Sequence, residues 1–226
     1  MKREYIKTSD GSSTIYVPEL DETYHSRHGA INEALHVFIK SGLLHFNSKS
    51  TKPESCTILE IGFGTGLNAF LTCLEGPKLN FKIQYEGVEA YPVLLEDLEH
   101  INFYSLVESG AHKALFYQLH LAEWEHYINI NEKFSLKKVD NTFNKINSEN
   151  QFDIVYYDAF GPRVQPELWE EAMFLSMYKA LKPGGVLVTY CAQGKARRAM
   201  QSVGFSVERL EGPPGKREML RATKPE

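Results

Sequence analysis

The chain contains short apolar runs separated by polar turns, and the runs follow two different periods. Cys56 to Gly62 and Phe152 to Asp158 are almost continuously apolar, the pattern of parallel strands buried on both faces. Phe134 to Asp140 alternates apolar and polar residues as a strand does. Between these runs apolar residues recur at helical spacing, as from Trp169 to Ala180. Strands that alternate with helices predict an α/β fold with a largely parallel sheet.

The remaining elements complete this pattern. We expect a helix from about Ala30 to Ser41, a second strand over Lys82 to Glu89, and a helix from Pro92 through about Phe103. Lys182-Pro183-Gly184-Gly185 is expected to end the helix that begins at Pro166. Three further strands are predicted: Val186 to Cys191, Phe205 to Leu210 and Glu218 to Ala222.

A glycine turn follows the first strand and precedes a helix, which is the opening of a nucleotide-binding α/β domain. The turn reads Gly62-Phe63-Gly64-Thr65-Gly66, and Glu60 lies inside the strand end. Glycine permits positive φ and removes the Cβ atoms that would keep a ligand off the backbone. This GxGxG pattern is similar to motif I of the class I S-adenosylmethionine (SAM) methyltransferases. A nicotinamide site and a turn without ligand are the alternatives.

The candidate cofactor residues all lie at the carboxyl ends of predicted strands, where open parallel sheets bind ligands. Glu89 ends the second strand and is placed to accept hydrogen bonds from both ribose hydroxyls, a solvated surface glutamate being the alternative. Asp140, or Asn141 beside it, is placed to meet an adenine amino group. The glycine turn and its flanks supply the others, which are Glu60, Gly62, Phe63, Gly64, Thr65, Gly66 and Asn68.

Length and composition fit one α/β domain with additions, since the chain has 226 residues, 42% of them apolar and 24% charged. We divide it into an arm and helix over residues 1–55, expected to cover the mouth of the site, and a methyltransferase domain over 56–226. Residues 104–133 show no clean period and are interpreted as an insertion. No run approaches the ~20 apolar residues of a membrane span, and the first residues lack a signal peptide. Three scattered cysteines indicate reduced thiols and a cytoplasmic location.

Charge is unevenly distributed along the chain. The net charge is −4, yet residues 195–226 carry eight Lys or Arg against four Glu. The last 32 residues are therefore basic by four charges and the first 194 acidic by eight. This asymmetry indicates a basic face at one end of the protein, with ordinary solvated charge as the alternative. His25 and His28 lie three apart, but without further ligands nearby a metal site is disfavoured, and we expect a loop against the mouth of the site.

Asp158 is the candidate for contact with the substrate. It ends the fourth strand, and the glycine turn, Glu89 and Asp140 already suffice to bind an adenosyl ligand. Methyl transfer from a sulfonium needs mainly a positioned nucleophile. An alkyl amine titrates near ~10 and arrives protonated, so a carboxylate can take its proton and orient its lone pair. Asp158 with Phe160 resembles motif IV of amino methyltransferases. A carboxylate that only caps a turn is the alternative.

An ordered set of motifs resembles one family, the methyltransferase domain of the bifunctional tRNA 5-methylaminomethyl-2-thiouridine biosynthesis enzymes. The set comprises Glu60 to Asn68, Asp158 to Pro162, Pro166 to Trp169, Lys182 to Gly185 and Lys216 to Leu220. The resemblance covers roughly residues 20–223. It implies a Rossmann-like fold with a seven-stranded, mostly parallel sheet, helices on both faces and an antiparallel C-terminal strand pair.

The resemblance also implies a reaction, N-methylation of a 5-aminomethyl group on the wobble uridine of tRNA with SAM as donor. Asp158 and Phe160 would be catalytic, and Tyr24, Trp169, Lys216 and Arg217 would contact substrate near the anticodon. No metal and no membrane are implied. The FAD-dependent domain of the bifunctional enzymes has no match in this sequence, so we expect a separate aminomethylating system to supply the substrate. Val139-Asp140 stands where the family has Gly-Asp. The alternatives are methylation of a small-molecule or protein amine and a catalytically silent SAM-binding module.

Overall fold

The computed structural model describes residues 2–48, 54–107, 111–143 and 146–226. A small antiparallel sheet opens the chain, with strands β1 (Glu4–Lys7), β2 (Ser13–Val17) and β3 (Glu22–Thr23). The main sheet contains β4 (Ser55–Ile61), β5 (Lys82–Glu89), β6 (Ile128–Asn129), β7 (Phe134–Asp140), β8 (Phe152–Tyr157), β9 (Leu181–Thr189), β10 (Ser206–Glu211) and β11 (Glu218–Thr223).

The helices fall between these strands. They are α1 (Ala30–Ala34), a π-helical stretch (Leu35–Leu44), α2 (His45–Asn47), α3 (Leu67–Glu75), α4 (Phe103–Leu106), α5 (Lys113–Leu121), α6 (Glu171–Ala180) and α7 (Gly194–Ser202). Short 3₁₀ turns span Pro18–Leu20, Gly76–Lys78, Leu95–His100 and Pro166–Trp169. Within the described part of the chain, none of the helices has the length and apolar character needed to cross a membrane.

The main sheet has the order β10-β11-β9-β8-β4-β5-β7-β6 among the described residues. The pairs from β9 through β8, β4 and β5 to β7 are parallel, and β10 and β11 form an antiparallel pair beside β9. The expected Rossmann-like fold is confirmed, with its antiparallel C-terminal pair. The two-residue β6 adds an eighth, antiparallel strand to the seven that were predicted.

Each face of the sheet carries its own hydrophobic core, because successive strand residues point to opposite faces. Ile154 and Tyr156 of β8 pack with the helices before β4 and with α3 and α5. Val155 and Tyr157 of the same strand pack with α6 and α7. All four side chains are 0% exposed. The near-continuous apolar run in β8 therefore reflects a central strand covered on both sides.

The predicted helix from Pro92 is replaced by the shorter 3₁₀ turn Leu95–His100. Leu94 is extended, and the carboxylate of Asp97 caps the turn there by accepting a hydrogen bond from the Leu94 backbone NH at 2.9 Å, so the turn begins at Leu95 and not at Pro92. The same carboxylate pairs with Arg3 and accepts the hydroxyl of Tyr5 at 2.5 Å. Arg3 and Tyr5 thus connect this segment to the N-terminal arm.

Two other segments differ from their sequence patterns. Helix α6 ends at Ala180, and Lys182-Pro183-Gly184-Gly185 lies inside β9 instead of forming the helix end. Gly184 has a φ of 73°, so a left-handed residue interrupts the strand where its pairing with β8 shifts register. Within the region interpreted as an insertion, α5 packs on α3, and its Phe116 and Leu119 are 0% exposed.

Candidate active site

The turn between β4 and α3 lies at the carboxyl end of the sheet and has glycine at every second position. Gly62, Gly64 and Gly66 have φ values of 90°, 50° and 71°, a region that side chains disfavour. A Cβ atom on Gly62 would lie 2.7 Å from the carbonyl oxygen of Asp158. Glycine at this position therefore lets the turn pass directly beside the end of β8.

Glu89 ends β5 and faces the glycine turn. Its Oε2 accepts the backbone NH of Gly64 at 2.8 Å, and its Oε1 accepts the backbone NH of Tyr91 at 2.9 Å. The carboxylate is 8% exposed, and burial raises its pKa. Each oxygen keeps a second lone pair, so the fixed carboxylate can still accept hydrogen bonds from a diol.

A first cavity opens between the glycine turn, Glu89 and the end of β8, with an empty volume of about 600 Å³ including its mouth. The sequence-predicted residues that line it are Tyr24, Gly62, Phe63, Gly64, Thr65, Asn68, Glu89, Asp158 and Phe160. Tyr91, Phe143 and His25 also line it, and the sequence did not single out Tyr91 or Phe143.

A buried amide joins two carboxyl groups beneath this cavity. Nδ2 of Asn68 donates to Oε1 of Glu60 and to Oδ2 of Asp158, both at 2.8 Å. Burial raises the pKa of Glu60 well above its ordinary value, and the charge of Asp158 adds to the shift. Burial and the charge of Glu33 likewise raise the pKa of Asp158. A carboxyl with a raised pKa is a stronger proton acceptor when it is ionised.

A second cavity lies on the other side of Asp158. It shares Tyr24, His25, Asp158, Ala159 and Phe160 with the first cavity. Its remaining walls include Glu22, Glu33, Tyr190 and Lys216. The segment that follows β8 therefore separates two adjoining spaces, the arrangement required for a reaction between two bound molecules.

Two histidines hold the glycine turn through Thr65. Nε2 of His25 lies 3.1 Å from the Thr65 hydroxyl, and Nδ1 of His25 lies 3.0 Å from the Thr14 hydroxyl. Nε2 of His120 lies 3.0 Å from the Thr65 carbonyl oxygen. Burial lowers the pKa of each histidine to about 4, so both are neutral at physiological pH. In the described ranges no three His, Cys, Asp or Glu side chains cluster so as to hold a metal ion.

Several predicted residues are not brought to either cavity by the fold. Trp169 is 1% exposed, and its Nε1 donates to the Phe160 carbonyl at 2.8 Å. Its indole therefore supports the Phe160 segment from the core and is not available for contact with a substrate. Asp140 is exposed and lines neither cavity. Gly66 is the N-cap of α3, and a Cβ there would lie 2.9 Å from Nε2 of His120.

Lys216 and Arg217 lie in a basic groove that leads away from the second cavity. The charged residues that line the groove are four basic ones and two acidic ones: Arg163, Arg209, Lys216, Arg217, Glu22 and Glu218. Arg217 is exposed, whereas the Nζ atom of Lys216 lies 2.5 Å from Oε2 of Glu33. Arg163 and Arg209 pair with Glu22 and Glu218 at 3.2 and 3.5 Å.

An open sheet with its glycine turn after the first central strand, an acidic residue after the second and a carboxylate after the fourth defines the Rossmann-like methyltransferase class. Comparison with known proteins gives the family. The chain belongs to the S-adenosyl-L-methionine-dependent methyltransferases, whose family model matches residues 111–225. This membership confirms the predicted enzyme class and its cofactor.

Individual relatives have more specific names than the family. A tRNA 5-methylaminomethyl-2-thiouridine biosynthesis bifunctional protein MnmC from Hydrogenovibrio crunogenus is 29% identical, covering 88% of this chain and 31% of that protein. Its counterpart from Burkholderia thailandensis is 30% identical, and the match covers 92% of this chain and 33% of that protein. The chain thus spans about a third of the length of these relatives.

Solved structures share the fold. MnmC2 from Aquifex aeolicus superposes with a TM-score of 0.75 at 26% identity, covering all of this chain and 72% of that one. Spermidine synthase from Thermotoga maritima has a TM-score of 0.57 at 12% identity, and the match covers 99% of this chain and 72% of that one. At this identity the similarity shows a shared fold alone.

Proposed function

We propose that this chain transfers a methyl group from SAM to the amine of a 5-aminomethyl group on the wobble uridine of tRNA. The observation that carries the proposal is the placement of Asp158 between the two cavities, with a space for the donor on one side and for the acceptor on the other. The names of the MnmC relatives supply the identity of the acceptor.

The first cavity has the features that a SAM molecule requires. Glu89 would accept hydrogen bonds from the ribose hydroxyls, since both of its oxygens are held in place by backbone NH groups. Tyr91 and Phe143 provide flat side chains for the adenine. Gly62 and Gly64 provide the close backbone approach, and Tyr24 lies across the turn, 3.3 Å from where a Cβ on Gly64 would stand. We propose that residues 1–55 cover the site through this contact.

The second cavity would hold the acceptor amine beside Asp158. When bound, SAM supplies a methyl group already activated by the sulfonium sulfur. Asp158 would orient the lone pair of the amine and receive its proton, directly or through water. Asn68 holds the carboxylate in place, and Phe160, edge-on to Tyr24 with ring centroids 5.1 Å apart, would close the space around the base. The nitrogen gains a bond to carbon while the carbon–sulfur electron pair stays with sulfur, so no external oxidant or reductant is needed.

The basic groove would hold the RNA backbone. Arg217 is exposed there, next to the second cavity, and arginine binds phosphate in a bidentate geometry. We place the anticodon loop along this groove and the reaction in the cytoplasm. The reaction requires that a separate aminomethylating activity has already acted on the same tRNA.

Nucleoside mass spectrometry tests this function. Purified protein is incubated with labelled SAM and bulk tRNA from cells that lack the enzyme. We expect label in a 5-methylaminomethyl uridine. If tRNA shown to carry the aminomethyl precursor stays unlabelled while a free amine or a protein is labelled, the tRNA assignment is wrong and the alternative acceptor is established.

A further inference from the structure

The ammonium group of Lys216 occupies a binding site of its own in the second cavity. Its Nζ lies 2.5 Å from Oε2 of Glu33 and 3.9 Å from the ring centroid of Tyr190. A carboxylate and an aromatic face are the two groups that recognise alkylammonium ions. Lys216 is itself a primary alkylammonium, so its position shows where such a group binds in this protein.

The ring of Tyr190 and the backbone of Glu33 are held independently of Lys216. Glu33 lies in the short helix α1, is 8% exposed and has its backbone NH bonded to the Gly29 carbonyl. The hydroxyl of Tyr190 donates to the Ala159 carbonyl at 2.8 Å. That bond fixes the ring beside the segment that carries Asp158. The aromatic face and the backbone that carries the carboxylate would therefore stay in place if the lysine side chain moved away.

We propose that Glu33 and Tyr190 form a primary-ammonium subsite next to Asp158, which Lys216 fills until the acceptor amine displaces it. The inference rests on the proposed amine methylation and deepens it, because it names the group that recognises the acceptor. Glu33 then acts as a specificity residue that favours cationic alkyl amines.

The basic groove supplies a partner for the displaced lysine. Lys216 lines both the second cavity and the groove, so its side chain can turn from Glu33 to an RNA phosphate. The backbone need not move: the Lys216 NH donates to Pro213, and Gly215 is packed so tightly on His28 that a Cβ there would lie 2.2 Å from its ring. Backbone binding and amine entry would thereby be coupled through one side chain.

Binding of n-propylammonium tests the subsite without any RNA or methyl transfer. Three proteins are compared by calorimetry and thermal shift: the wild type, Lys216→Met, and Lys216→Met with Glu33→Gln. We expect Lys216→Met to bind propylammonium at least about 30-fold more tightly than the double variant, since the double variant lacks the buried carboxylate. The wild type should bind weakly, because Lys216 already fills the site.

Lys182→Met is the matched control, because it removes a lysine that pairs with Asp153 at 2.9 Å, at the start of β9. Equal binding by Lys182→Met and Lys216→Met, equal binding by the single and double variants, or no binding by Lys216→Met would overturn the proposal. Lys216→Gln repeats the test if the methionine variant does not fold. Failure of tRNA methylation with selective propylammonium binding would reject the proposed RNA substrate and keep the subsite.

Discussion

Replacing Asp158 by asparagine should separate the chemistry of the site from its architecture. The amide oxygen of the new side chain can still accept the hydrogen bond that Asn68 now donates at 2.8 Å. The variant loses the negative charge and the ability to take a proton. General base catalysis contributes about 10²- to 10⁴-fold, which corresponds to about 3–5 kcal/mol of barrier. We therefore expect the methyl-transfer rate to fall by that factor while SAM affinity is kept.

The same variant should lose activity but gain thermal stability at high pH. Burial and Glu33 raise the pKa of Asp158 in the folded protein. A carboxyl with a raised folded pKa favours folding at low pH, and that contribution is lost as the pH rises through the folded pKa. Asparagine has no such ionisation. Asp158→Asn should therefore melt above the wild type at pH 8, and the difference should shrink as the pH is lowered.

The assay is single-turnover transfer of labelled methyl to aminomethyl-tRNA, with SAM binding by calorimetry and melting by circular dichroism. Asp153→Asn is the matched control, since Asp153 lies at the other end of β8 and pairs with Lys182. That control should lose stability and keep its rate. An Asp158→Asn protein that transfers methyl at the wild-type rate would refute the assigned role. If the variant loses both methyl transfer and SAM affinity, Asp158 only shapes the first cavity.

Three smaller perturbations test other parts of the structure. Gly62→Ala should lower the free energy of unfolding by about 1–3 kcal/mol and weaken SAM binding. Gly11→Ala is the control, since Gly11 has a φ of 84° and a Cβ there would meet no atom within 4 Å, and it should bind SAM normally. Chemical denaturation measures the stability, and calorimetry measures SAM binding. Arg217→Ala should weaken tRNA binding and reduce the slope of log K against log salt by about one, and an unchanged slope would remove it from the groove. His120 has a folded pKa of about 4, so the unfolded chain takes up its proton first as the pH falls below 6.5. Between pH 7 and pH 5 the free energy of unfolding of the wild type should therefore fall by about 2 kcal/mol more than that of His120→Gln. Urea unfolding at each pH measures this difference.

The strands and the acidic residues at their ends were predictable because they follow from local rules. Glu60, Glu89 and Asp158 lie in or after apolar runs, and parallel strands bring their carboxyl ends to one edge. The structure places these strands side by side, in the order β8, β4, β5. Positions that depend only on strand period and direction could thus be read from the sequence.

Residues whose place depends on long-range packing could not be predicted. Trp169 belongs to a matching motif, but the turn Pro166–Trp169 directs its indole into the core. Lys216 was expected to meet RNA, but in the fold it meets Glu33, 183 positions earlier in the chain. Glu33 and Tyr190 carry no local signal at all, since a glutamate in a first helical turn and a tyrosine after a strand are ordinary surface and core residues.

The charge balance of the site accounts for its chemistry. Glu60, Glu89 and Asp158 are three carboxyl groups on adjacent strands, and burial raises the pKa of each. Backbone NH groups and the side-chain amide of Asn68 hold these carboxyl groups in place. Buried charge of one sign destabilises a fold unless a ligand of the other sign completes it. The sulfonium donor and the protonated amine of the proposed reaction are both cations. A nearby cation favours the ionised form of a buried carboxyl group. A site that holds its carboxyl groups in place is therefore suited to bind both cations, and the raised pKa of Asp158 lets it accept a proton at the point where they meet.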